Sequence, residues 1–153
     1  MEKVTICQIT VDDLFDHHDA PSLLAEYGAE SSIYGLPAPK PDQEIYRLLE
    51  RSGALHVMAA FQGDTMLGFL ALIVSANPHY STKLAATESY FVGADYRKTG
   101  AGLKLRKQAE ELATMRGAKG FLISAPASGK LADVMASDRN YRETNRVFFR
   151  SLA

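Results

Sequence analysis

The stretch from Ala86 to Leu105 constrains this chain more than any other. A strand-length run ends in Phe91-Val92, a turn carries Gly93, Gly100 and Gly102, and Ala101, Leu105, Ala109, Leu112 and Ala113 then recur at helical spacing opposite Lys104, Lys107 and Glu111. A strand that feeds a glycine turn and opens a helix leaves unpaired backbone N–H groups at the positive end of the helix dipole. Glycine also lets a ligand come close to that backbone. Acids usually occupy a first helical turn, yet Arg97, Lys98 and Lys104 ring this one. A phosphate or pyrophosphate bound at the turn resolves the conflict.

Two phosphate motifs are excluded by counting. A dinucleotide fingerprint begun at Gly100 and Gly102 requires a small residue where Leu105 stands, and a P-loop ending at Gly129-Lys130 requires glycine at Ser124 and a hydroxyl residue at Leu131. Charge is spread unevenly. From Val11 to Ser52 there are nine acids and three bases, whereas from Arg97 to Lys119 seven bases face only Glu110 and Glu111. Solvated helix faces explain such runs as readily as ligands do. A net charge of -1 argues against a general nucleic-acid binder.

A chain of 153 residues suits one domain, 1–153. No apolar run approaches the ~18 residues of a membrane span, and residues 1–4 lack the basic and apolar character of a secretory leader. With Cys7 as the sole cysteine, a cytoplasmic location without disulfides is expected. The four histidines (His17, His18, His56, His79) look scattered, with no metal-ligand spacing, so no metal is expected.

The order of elements reads β, helices, β-β-β, α, β, α, β. Lys3–Ile9 is the first strand, and Thr10 caps one or two helices that end near Glu30. Pro37, Pro39 and Pro41 enforce a loop, after which Asp42 caps a helix whose stripe is Ile45, Leu48 and Leu49. Residues 55–61 and 65–74 form a hairpin about Gln62-Gly63-Asp64, and 84–92 is a further strand. A strand at 121–124, a helix at 129–137 and a closing strand at 143–152, with Val147 and Phe149 on one face, complete the chain.

Arg97-Lys98-Thr99-Gly100-Ala101-Gly102 resembles the Gln/Arg-x-x-Gly-x-Gly/Ala acyl-CoA motif of the GNAT superfamily of N-acetyltransferases. Val92 five residues earlier, Tyr96 just before the Arg, Gly68 in the third strand and Asn140-Tyr141-Arg142 before the last strand extend the likeness over about residues 55–152. The resemblance implies an α/β (α+β) fold with a mixed, mostly antiparallel sheet flanked by helices and splayed between its fourth and fifth strands. It implies acetyl-CoA, or a related acyl-CoA, as cosubstrate. Backbone near Phe91 and Val92 would pair with pantetheine, and Arg97, Lys98, Thr99, Gly100, Ala101 and Gly102 would hold the pyrophosphate.

The activity implied is direct acetyl transfer to a primary amine in a ternary complex, which requires a base. Glu88, four residues before Val92 and expected on its face, is the candidate base; Tyr90, on that same face, is the candidate orienting group or acid. The last-helix tyrosine that usually serves as acid is absent around Val134–Asp138, with Ser128, Ser137 and Tyr141 as weak substitutes. His79 and Tyr80 are expected on the surface, His56 in the core, and Cys7 as a small buried apolar residue. The acceptor is a small-molecule or protein amine, with the acidic N-terminal helices favouring a cation, and a homodimer is consistent with the family. Two other readings are a non-catalytic acyl-CoA-binding or sensing domain, and a basic helix that contacts protein or nucleic acid.

Overall fold

A computed structural model describes residues 2–153. Its elements are β1 (Thr5–Ile9), α1 (Val11–Phe15), α2 (Ala20–Ser31), α3 (Gln43–Arg51), β2 (Leu55–Gln62), β3 (Thr65–Asn77), β4 (Thr82–Val92), α4 (Ala101–Met115), β5 (Phe121–Leu122) and α5 (Lys130–Ser137), with a 3-10 turn at Ala94–Tyr96. The strands form one sheet in the order β1-β2-β3-β4-β5. The first three pairings are antiparallel and β4–β5 is parallel. This is the mixed, mostly antiparallel sheet expected from the sequence. No helix among the described residues is long and apolar enough to cross a membrane.

Local chemistry sets the helix starts. Thr10 and Asp13 exchange side-chain to backbone bonds of 3.0 and 3.1 Å in a capping box, and Asp42 accepts the Glu44 N–H at 2.9 Å. The hairpin turns at Gly63, whose positive φ of 57° suits glycine. On one face of the sheet Leu67, Leu70, Leu72, Ala85 and Val92 pack under Leu105 and Ala109 of α4. On the other, Val57, Met66, Phe69 and Phe91 pack against Val11, Leu14 and Leu23 of α1 and α2. Covered on both sides, β3 reads as a continuous apolar run.

Two bulges redirect the strands. The β2–β3 register shifts at Ala60/Phe61, leaving Leu67 unpaired, and the β3–β4 register shifts at Ala71/Leu72, leaving Glu88 unpaired between Thr87 and Ser89. The β4–β5 pairing consists of Ala85–Phe121 and Ala86–Leu122, so beyond Ala86 the two strands part and residues 88–92 have no strand on that side.

Three expectations need correction. The closing strand at 143–152 does not form. That segment has no regular secondary structure, with Val147 and Phe148 about nine-tenths exposed, and its Ser151 hydroxyl bonds the Gly35 carbonyl at 3.4 Å. Alternation gives a strand its faces, but β5 spans only two residues and offers no edge to extend. In α3 the inward residues are Tyr46 and Leu49, which pack on the core, while Ile45 and Leu48 point outward. Cys7 is exposed, because it lies on edge strand β1 with Val4 and Ile6 turned to the core.

Candidate active site

The turn before α4 has the predicted open backbone. Gly100 caps the helix in the left-handed region, φ 84°, and nothing lies within 4 Å of where a Cβ on it would stand. Thr99 holds the turn closed: its hydroxyl donates to the Tyr96 carbonyl at 2.6 Å and accepts the Ala101 N–H at 3.2 Å. The Thr99 N–H bonds the Tyr96 carbonyl at 3.1 Å. The N–H groups of Lys98, Gly100, Gly102 and Leu103 have no acceptor among the described residues. Four unpaired donors at a helix start, beside a glycine with open space over it, suit the several oxygens of a pyrophosphate.

The six residues singled out in the sequence therefore divide by role. Lys98, Gly100 and Gly102 present free N–H groups, whereas Thr99 and Ala101 hold the turn's shape. Arg97 points back: its Nε donates to the Val92 carbonyl at 3.0 Å, its guanidinium pairs with Glu30, and it lies 5.5 Å from the Phe91 ring centre. Lys98 is exposed and makes no ion pair among the described residues. Leu103 was missed, although its N–H is among the first four of the helix and so readable from the helix start. A Cβ on Gly102 would make ordinary contacts of 3.6 Å with Tyr90 Oη and Val92, which agrees with a position that takes glycine or alanine.

The bulge separates the two catalytic candidates. Strict alternation places Glu88, Tyr90 and Val92 on one face, but the extra residue moves Glu88 to the other side of the sheet, where it accepts the Tyr46 hydroxyl of α3 at 2.6 Å. Tyr90 remains under α4 with its hydroxyl on the Gly102 carbonyl at 2.6 Å. The expectation of a shared face is thus overturned by one unpaired residue. Burial, and then the bond to Glu88, push the Tyr46 hydroxyl well above the usual tyrosine range; burial followed by the Glu88 charge raises Tyr27.

Through the Tyr46 hydroxyl, Glu88 is linked to the wall of a small aromatic pocket. Phe15, Leu24, Tyr27, Tyr46, Phe69 and Ser89 line a tight cavity of about 20 Å³. Phe15 and Tyr46 lie 5.5 Å apart, Tyr27 and Phe69 5.8 Å. Sequence reading missed Tyr27 and Tyr46. Tyr46 stands three residues before Leu49, and that i, i+3 pair was the available signal.

The N-terminal acids do not line this pocket. Asp12 and Glu44 bind Arg47, with Arg51 also on Glu44, and Glu30 binds Arg97. Asp13 and Asp42 cap helices. Asp19, Glu26 and Glu50 accept the N–H groups of Met66, Ala94 and Val11 at 3.0, 2.7 and 2.8 Å, while Asp16 takes a long 3.4 Å bond from Gln43. The acidic third is largely an internal network that joins α1, α2 and α3 to the sheet.

The remaining candidates also have assignable places. Tyr141 donates to Glu110 at 2.8 Å beside the buried Arg106–Asp138 pair, also 2.8 Å, and burial followed by that bond raises its hydroxyl above the usual range. The Ser137 hydroxyl bonds the Val134 carbonyl. Tyr80 is exposed on the loop and His56 is buried, as expected. The histidines are less scattered than the sequence suggested: donor atoms of His17, His18 and Asp19 lie within 4.8 Å of one another. His17 Nδ1 already accepts the Asp19 N–H at 3.1 Å, however, and the Asp19 carboxylate accepts that of Met66.

Comparison with known proteins gives a consistent answer. The model of the acetyltransferase (GNAT) family matches residues 15–132. An aminoglycoside N(6')-acetyltransferase type 1 of Acinetobacter genomosp. 13 is 28% identical over 112 residues, spanning 70% of this chain and 75% of that protein. Among solved structures, an aminoglycoside acetyltransferase from an uncultured soil metagenomic sample, in complex with sisomicin, superposes with a TM-score of 0.75 at 18% identity, covering 98% of this chain and 97% of that one. Aminoglycoside N-acetyltransferase AAC(6')-Iy in complex with CoA does so at 0.76 and 16% identity, covering 100% and 97%. A ribosomal-protein-alanine N-acetyltransferase from Brucella melitensis biovar Abortus gives 0.68 at 19% identity, covering 96% and 99%. At such identities these structures speak to the fold alone. With the family model covering most of its length, the chain belongs to the acetyltransferase (GNAT) family and is an acyltransferase.

Proposed function

We propose that the protein transfers an acetyl group from acetyl-CoA to the primary amine of a small molecule, within a ternary complex. The observation that carries the proposal is the placement of Glu88: a carboxylate on a bulge of β4, held by the Tyr46 hydroxyl and on the stretch where β4 has parted from β5. Bound acetyl-CoA supplies a thioester carbonyl carbon that a neutral amine can attack. The N–H groups of Lys98, Gly100, Gly102 and Leu103 hold the pyrophosphate, and Lys98 adds a nearby positive charge. The pantetheine arm would lie along the edge of β4 near Phe91 and Val92, where β5 has parted from it.

Glu88 is the base. It takes the proton that the amine must shed, either directly or through one water, while the Tyr46 hydroxyl holds the carboxylate in place. Tyr90 supports the turn through the Gly102 carbonyl and takes no proton. With Ser137 and Tyr141 bonded elsewhere and Ser128 exposed just before α5, the departing thiolate takes its proton from solvent, which a free-thiol pKa of ~8.5 permits near neutral pH. The small-molecule acceptor is supported by the relative named as an aminoglycoside acetyltransferase.

Glu88→Gln tests the assignment. Turnover of acetyl-CoA with an accepted amine should fall about 10²–10⁴-fold while the affinity for acetyl-CoA stays near wild type. Equal turnover in the variant would remove Glu88 as the base.

A further inference from the structure

Resting on that reading, we infer that Arg97 is a positioning residue for acetyl-CoA, acting through the N–H at Nε and not through its charge. Val92 stands opposite Gly68, and the next bond between the two strands runs from the Gly93 N–H to the Leu67 carbonyl at 2.9 Å. The pleat therefore turns the Val92 carbonyl away from β3, to the side where β5 has parted. Arg97, five residues on, takes the place of a neighbouring strand there, with Nε donating to that carbonyl at 3.0 Å.

This bond ties the last residue of β4 to the start of the open turn. Acetyl-CoA would span both, with pantetheine along the edge of β4 and pyrophosphate at the N–H groups of Lys98, Gly100 and Gly102, so the distance between the two stretches has to match one ligand. A turn braced before the ligand arrives loses less freedom on binding. Helix α2 completes the brace. Glu30 pairs with the Arg97 guanidinium, Glu26 accepts the Ala94 N–H at 2.7 Å, and the Leu23 side chain lies over Gly93. The guanidinium also rests 5.5 Å from the centre of the Phe91 ring. Its charge is met by Glu30 where it stands, which leaves the electrostatic part of anion binding to the exposed Lys98. Side-chain chemistry can separate the two contributions. Glutamine carries its amide nitrogen as many bonds from Cα as arginine carries Nε, whereas lysine keeps the charge with a methylene at that place and methionine has a methyl group there.

The test is calorimetry with acetyl-CoA at about 50 and about 200 mM salt. It compares wild type and Arg97→Lys with two double variants, Arg97→Gln with Glu30→Gln and Arg97→Met with Glu30→Gln. Both double variants leave no unpaired carboxylate beside the turn, and they differ from each other in the donor at position 97. The glutamine variant should bind acetyl-CoA within about threefold of wild type and with the same salt dependence, while Arg97→Lys and the methionine variant bind about tenfold more weakly. Tight binding by Arg97→Lys with weak binding by both double variants would assign the role to charge and overturn the inference. Equal losses in the two double variants, or affinities within about threefold of wild type throughout, would overturn it as well and leave the acetyltransferase reading standing. Absence of acetyl-CoA binding by the wild type overturns the proposed function and this inference with it.

Discussion

His56 is a buried titratable group in the middle of the sheet, at the start of β2. Burial, and next the positive charge of Arg116, hold its pKa below the ordinary value of 6.5, against smaller opposing effects of a Gly53 backbone bond and Glu50. The unfolded chain therefore takes up the proton first. The stabilisation is fully present above about pH 6.5 and is lost as the pH falls through the lowered folded value. Melting temperatures between about pH 7 and pH 5 should decline for the wild type and decline less for His56→Leu; identical slopes would show that His56 does not titrate with unfolding. Its burial was legible, because it interrupts an apolar run. The direction of Glu88 was not. Alternation along β4 sends 88, 90 and 92 to one face, and only the pairing with Ala71 and Leu72 of β3 reveals the extra residue.

At the scale of elements, the β3–β4 contact controls the end of the strand that feeds the site. A Cβ on Gly68 would press into the Phe91 carbonyl oxygen and stand 2.8 Å from Val92 Cα, both rigid backbone. Gly68→Ala should therefore part β3 from β4 and destabilise the protein by about 1–3 kcal/mol, the usual cost of overpacking. It should also weaken acetyl-CoA binding through the displaced Val92. Thermal unfolding and calorimetry check both effects, and a wild-type melting temperature would contradict the close approach. The strand, turn and helix around Gly68 and Gly100 were legible because glycine, apolar spacing and the helix start each leave a local mark. The last strand was not, since Val147 and Phe149 alternate correctly but strand formation depends on an edge elsewhere in the molecule. In α3, Ile45 and Leu48 satisfied the apolar count while the docking face was set by Tyr46 and Leu49.

Over the whole molecule the sheet divides two tasks. Its α4 face supports the open turn at Gly100, while its α1–α3 face builds the aromatic pocket, with the β4 bulge reaching from one to the other. The basic and acidic blocks of the sequence meet across this arrangement. Arg97 pairs with Glu30 and Glu26 accepts the Ala94 N–H, so part of the acidic block stabilises the fold instead of attracting ligands. A charge count could not distinguish the two uses, since pairing is a property of three dimensions. Acetyl-CoA bound at the open turn should stabilise the folded chain. The most direct measurement is the melting temperature with acetyl-CoA, with NAD and ATP as controls. At about 100 times its dissociation constant a ligand adds about 2.7 kcal/mol, so acetyl-CoA should raise the melting temperature by about 5–10 °C and the controls should not. No shift with millimolar acetyl-CoA, or an equal shift with all three, would contradict the account.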